Sequence, residues 1–229
     1  MVRIFQWVVA VLPLIAPSMS QAENKYSIKP AQTPVPQGLN ESVRKLLGEN
    51  SIQFLGANGA VICEIWFSKE VPVKATPAQI KNGLTYRELD ESTVMGAVRY
   101  DQPSTDYRKQ KIKPGLYTLR LGYQPMDGDH MGTAPHNEFC LLVPAKIDEK
   151  PDILDAKELR EVSAKAIGGS HPGVLLLFPN EKPEDTPKLL DKGNNTWALA
   201  TKLPVTVDGK RSDAALGVAL TLVGQTSAE

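Results

Sequence analysis

Cysteine is scarce in this chain. Cys63 and Cys140 are the only two among 229 residues, which excludes a CxxC redox pair and the closely spaced thiolates of a structural zinc site. Charge of one sign is not in excess either: 26 basic side chains balance 26 acidic ones, so no net field gathers nucleic acid or an anionic membrane. Past residue 22 no apolar run approaches the roughly 20 residues of a bilayer crossing. Internal repeats and low-complexity tracts are absent. So is the alternating strand and helix rhythm of a parallel α/β sheet.

What is present begins with an address. Arg3 supplies a positive head, Ile4 to Ala16 form an apolar stretch broken only by Gln6 and Pro13, and Ser20-Gln21-Ala22 places small residues at a cleavage site. Residues 1–22 are therefore expected to be a signal peptide, leaving a soluble mature chain in the periplasm or secreted. No cysteine flanks the cut, which argues against a lipid anchor. Residues 23–39 carry Pro30, Pro34 and Pro36 and are expected to be extended, with an edge strand around Tyr26 and Ile28. Residues 40–229 suffice for one domain with a full core. In an oxidising compartment Cys63 and Cys140 could form a disulfide, contributing roughly 4.5 kcal/mol in the chain-entropy model. Two buried free thiols are the other reading.

The periodicity is that of short strands. Asn40 can cap a short helix that Gly48 would end in a left-handed conformation. Gly56-Ala57-Asn58-Gly59 then separates Ile52–Leu55 from Val61–Phe67, whose Val61, Cys63, Ile65 and Phe67 share one face while Glu64 faces the other way. Val94 to Tyr100, Phe139 to Val143, Val174 to Phe178, Trp197 to Thr201, Val205 to Val207 and Leu216 to Val223 also read as strands, with Asp208-Gly209 a tight turn. Pro114-Gly115 has the chemistry of a type II turn, with positive φ at the glycine. Beyond it Tyr117, Leu119, Leu121 and Tyr123 form an inward apolar row, and Thr118, Arg120 and Gly122 an outward one. Asp155 opens the one convincing helix, with Leu159, Val162 and Ala166 on one face and Gly168-Gly169 at its end. The basic cluster Arg108, Lys109, Lys111 and Lys113 reads as a solvated edge strand guarded by lysines. Trp66 and Trp197 read as core, since lone aromatics in strands usually pack there.

Chemistry, if any, is carried by residues 124–138, a segment without periodicity and longer than most connections. Counting from Asp127, Asp129 and Glu138 follow the outline of a calcium loop, although Met131 stands where an oxygen ligand belongs. Alternatively His130 and His136, with Asp127, Asp129 or Glu138, could hold zinc, or copper with the help of Met131. The plainer reading is that Asp, Gly, Pro and Asn shape turns here and the histidines are solvated. Convergence of His171 on His130 and His136 would favour a metal site. Ser170 beside His171 lacks the geometry of a nucleophile and its base, because sequence neighbours rarely face each other.

The Ile112-Lys113-Pro114-Gly115-Leu116-Tyr117 stretch resembles the tyrosine corner of immunoglobulin-like and fibronectin-like sandwiches, in which the Tyr hydroxyl bonds upstream backbone. Together with Gln124–Thr133, Leu141-Leu142-Val143-Pro144-Ala145 and His171-Pro172, it is similar to an uncharacterised family of exported bacterial proteins. That resemblance implies an extracytoplasmic setting and brings no activity or ligand with it. The expected protein is thus mainly β: an antiparallel β-sandwich, immunoglobulin-like or a related Greek key, with one or two short helices. Its expected role is non-enzymatic binding of a small ligand or an extracytoplasmic protein through the 124–138 segment. The alternative is a metal-binding protein or metal-dependent enzyme centred on His130 and His136. No cofactor beyond a copper, zinc or calcium ion is expected.

Overall fold

The computed structural model describes residues 25–125, 127–128 and 132–226. The leader expected over residues 1–22 lies outside these. The chain opens with β1 (Tyr26–Ala31), a one-turn helix α1 (Glu41–Arg44) and the hairpin of β2 (Ser51–Gly56) and β3 (Val61–Phe67). A short β4 (Val71–Val73), α2 (Pro77–Asn82) and a 3-10 turn at Tyr86–Glu88 lead to β5 (Val94–Tyr100). The short strands β6 (Ser104–Thr105) and β7 (Lys111–Ile112) pair only with each other, ahead of β8 (Gly115–Tyr123) and β9 (Glu138–Pro144). Then come α3 (Ala156–Ile167), β10 (Val174–Phe178), β11 (Lys188–Asp191), β12 (Trp197–Val207) and β13 (Lys210–Val223).

The main sheet runs β1-β2-β3-β5-β8-β9-β10-β13-β12-β11, with β4 alongside β12. From β1 to β10 the strands meander; the chain then crosses to the far edge, and β11 to β13 return to meet β10. Residues Val174 to Leu176 of β10 pair with β9, whereas Leu177 and Phe178 pair with β13. This one strand carries the hydrogen-bonded path around a bend. The two edges come together: Lys25 Nζ donates to Asn195 Oδ1 at 3.1 Å, and the Tyr26 ring meets Trp197 edge-on at 5.7 Å. Inside the curl lies the largest core cluster, in which Phe54, Ile65, Leu119, Leu142, Leu177 and Leu220 are buried.

Several expectations are corrected here. The protein is mainly β, but its main sheet is a single curled and mixed one, because Val205 to Val207 of β12 pair in parallel with β4. Among the described residues there are three helices; α2 has a Thr76–Gln79 capping box and Pro77 in its first turn but buries no residue. The runs 197–201 and 205–207 are one strand that passes through Pro204, with a register shift just beyond it. Gly48 does not end α1, whose C-cap is Lys45; instead the Gly48 N–H donates to the Phe67 carbonyl at 2.8 Å and stitches the segment to β3. Gly115 is not among the positive-φ glycines, so Pro114-Gly115 is no type II turn. A Cβ there would meet the Tyr117 ring at an ordinary 3.4 Å, and the Tyr117 hydroxyl donates to the Lys113 carbonyl at 2.9 Å.

Nor is the second row of β8 solvated. The outer face of the sheet carries two further apolar clusters, one around Trp66, Val43 and Leu39, the other around Leu159 of α3 with Phe139, Leu141 and Val143 of β9. Under this cover Thr118 and Arg120 are wholly buried. Arg120 grips Asp148 through Nε at 2.9 Å and Nη2 at 2.6 Å, and its remaining donors go to Ser92 and to the carbonyls of Lys150 and Asp152. Thr118 also donates to Asp148. A guanidinium with all its hydrogen bonds made is tolerable in the interior and fastens the 148–152 segment to the sheet. Cys63 and Cys140 are free and buried, on strands separated by β5 and β8, so the free-thiol reading is the one the fold adopts.

Candidate functional site

Asp106 organises the site. It is fully buried, and its carboxylate accepts from the backbone N–H groups of Arg108 at 2.9 Å, Gln110 at 2.8 Å and Val174 at 3.0 Å, and from Gln110 Nε2 at 2.9 Å. All four donors are neutral. Burial raises its pKa from the ordinary 3.8, and the four donors only partly counter that shift. The turn it closes puts Lys109 at φ 66°, so Tyr107 to Gln110 form a turn where an edge strand was expected. Gln110 Nε2 also donates to the Pro172 carbonyl, and Tyr107 N–H to the Val174 carbonyl, both at 2.9 Å. One carboxylate thereby positions the 107–108 turn and the 172–174 segment against each other.

Between these two walls lies a cavity of about 150 Å3. Its floor is the outer face of the sheet, with Phe139, Leu141 and Val174, and the Tyr107 ring stands 6.4 Å from Phe139. Arg160 of α3 and Arg108 of the turn reach it from two sides, beside His171. The long segment supplies the cover through Gln124, Pro125, Thr133 and Ala134. That cover is pinned: Gln124 N–H donates to the Asn137 carbonyl at 2.8 Å, Gln124 Nε2 to Thr133 Oγ1 at 3.0 Å, and Thr226 Oγ1 to the Thr133 carbonyl at 2.6 Å. Tyr123 lies at the edge, its hydroxyl donating to the Tyr86 carbonyl at 2.6 Å; burial, with Glu138, Glu91 and Glu88 nearby, pushes its pKa up to about 12 and keeps it a donor.

Of the residues singled out for metal binding, Asp127, His136 and Glu138 are described, and His136 and Glu138 line one depression. Asp129 and His130 lie outside the described residues. Asp127 is exposed, and Glu138 sits at the start of β9 opposite Tyr123. His136 packs its ring edge-on against Phe178 at 5.1 Å, lining a different depression from the cavity that His171 lines. Among the described residues no three His, Cys, Asp or Glu side chains gather as a metal would require. Sequence reasoning passed over Asp106 and Arg160 and placed Arg108 on a solvated strand. The signal for Asp106 was present: an Asp followed by polar residues and a left-handed position is the pattern of a side chain capping its own turn.

Comparison with protein-family models, with curated proteins and with solved structures finds no match to this chain.

Proposed function

We propose that this chain is an exported, non-enzymatic binding module that holds a small ligand in the cavity beneath the 124–138 segment. The leader-like pattern of residues 1–22 supports the export. The observation that carries the binding is the cavity itself, apolar at its floor, polar at its rim and bordered by Gln124, Pro125, Thr133 and Ala134, of which Gln124 and Thr133 are held by hydrogen bonds. An apolar cavity of about 150 Å3 accepts a benzene ring. Reactive thiols are not offered, since burial pushes both cysteines well above the usual thiol range.

Benzene titrated into methyl-labelled protein is expected to shift the resonances of Leu141 and Val174. Ala134→Trp, which fills the space from the roof, should abolish those shifts and leave the unfolding midpoint in place. Leu141 and Val174 methyls that ignore benzene in the native protein would overturn the binding reading.

A further inference from the structure

The charge around this cavity narrows the ligand. Two arginines and a histidine line it, and among the described residues that line it there is no Asp or Glu. Among the described residues the Arg108 guanidinium makes no hydrogen bond or ion pair, although its residue is only half exposed. Arg160 has one carboxylate near it, Glu91, and at 3.5 Å that pair is loose and outside the cavity. Asp106 makes no ion pair with the Arg108 guanidinium: its oxygens accept from the backbone N–H groups of Arg108, Gln110 and Val174 and from Gln110 Nε2. An unpaired Arg108 guanidinium and a loosely paired Arg160 above an apolar floor are arranged for an amphipathic anion, since arginine pairs with carboxylate through two parallel hydrogen bonds.

We propose that the ligand is a small monocarboxylate with a ring-sized apolar body, an aryl acid, its ring on Phe139, Leu141 and Val174 and its carboxylate between Arg108 and Arg160. This assignment rests on the cavity being a binding site. The volume limits the body to about one six-membered ring, the size of the benzene guest that such cavities hold. Attraction to the two arginines supplies orientation, and the ring supplies most of the contact area.

Isothermal titration of the mature chain with phenylacetate and with its neutral isostere phenylacetamide tests the idea. Phenylacetate should bind at least about tenfold more tightly, and added salt should erode that ratio. Arg108→Gln and Arg160→Gln should each pull the ratio towards one; Arg108→Lys, which keeps the charge but loses the fork, should retain part of it. Equal affinity for the acid and the amide would overturn the anion assignment while leaving the cavity as a binding site. Failure of both, in a protein whose Leu141 and Val174 methyls still respond to benzene, would also overturn the anion assignment alone. Failure of benzene, acid and amide together would remove both readings.

Discussion

Two buried carboxylates show how much a single residue decides here, and they act in opposite directions. Glu64 is 1% exposed on β3. Burial works to raise its pKa, but hydrogen bonds from Thr33, Ser51 and Gln53, together with Arg99 at 2.6 Å, outweigh it and leave the pKa below 4.5. A carboxyl whose folded-state pKa is lowered stabilises the fold above its unfolded value, and that contribution disappears as pH falls through the folded one. Glu64→Gln should therefore lower stability at neutral pH by about 2 kcal/mol. It should also flatten the acid limb below pH 4.5, which melting curves over a pH series would reveal. Asp106 has the reverse sign. Its pKa is raised above 3.8, so the ionised form is the costly one, and its share of stability grows as pH drops through the raised value. Asp106→Asn turns an amide N–H towards the Val174 N–H and Gln110 Nε2 donors; urea unfolding should show a loss of about 2 kcal/mol. An unchanged midpoint would mean that the turn and the 172–174 wall do not depend on it.

At the scale of elements, α3 couples the sheet to the cavity. Asp155 caps it by accepting from Lys157 N–H at 2.8 Å, and Gly168 ends it at φ 73°. Its buried Leu159 packs among the outer residues of β9 and β10, and its Arg160 turns to the cavity. Leu159→Ala should cost about 3 kcal/mol in denaturant unfolding, from lost burial plus the void left behind. The same variant should weaken benzene binding by loosening the wall that carries Arg160; full affinity in a destabilised protein would separate the helix from the site. Patterns confined to one element were legible in the sequence. Val174 to Phe178 is β10 as the apolar run suggested, and Asp155 to Gly168 bounds α3 as the caps suggested. Helix α2 escaped because six residues with one core-packing apolar side chain, Ile80, leave no periodicity to read, only the Thr76 and Pro77 cap. Pro114-Gly115 misled because the dipeptide suits a type II turn, whereas Gly115 enters β8 without a positive φ.

Over the whole molecule, the curl of the sheet makes one continuous interior that both cysteines share. Cys63 and Cys140 belong to the same core cluster, at 2% and 1% exposure. A thiol reagent should label neither in the native protein and both after guanidinium unfolding, at a rate that follows global opening. Labelling faster than unfolding, followed by mass spectrometry, would show instead that the curl opens locally, most directly along the seam between β1 and β11, where the sheet order gives no strand pairing among the described residues. Among the described residues no helix is long and apolar enough to cross a membrane.

The sequence by itself determined the β character, most strand positions, the α3 caps and the Asp208-Gly209 turn, because each depends on neighbours within a few residues. Only the tertiary structure decided that Thr118 and Arg120 are interior, that β4 runs parallel to β12, and that Arg108, Arg160 and Val174 converge on one cavity. Alternation along a strand tells which side chains share a face, but whether that face meets water depends on what distant chain covers it. Asp106 and Val174 lie 68 residues apart and meet only because the sheet brings them together.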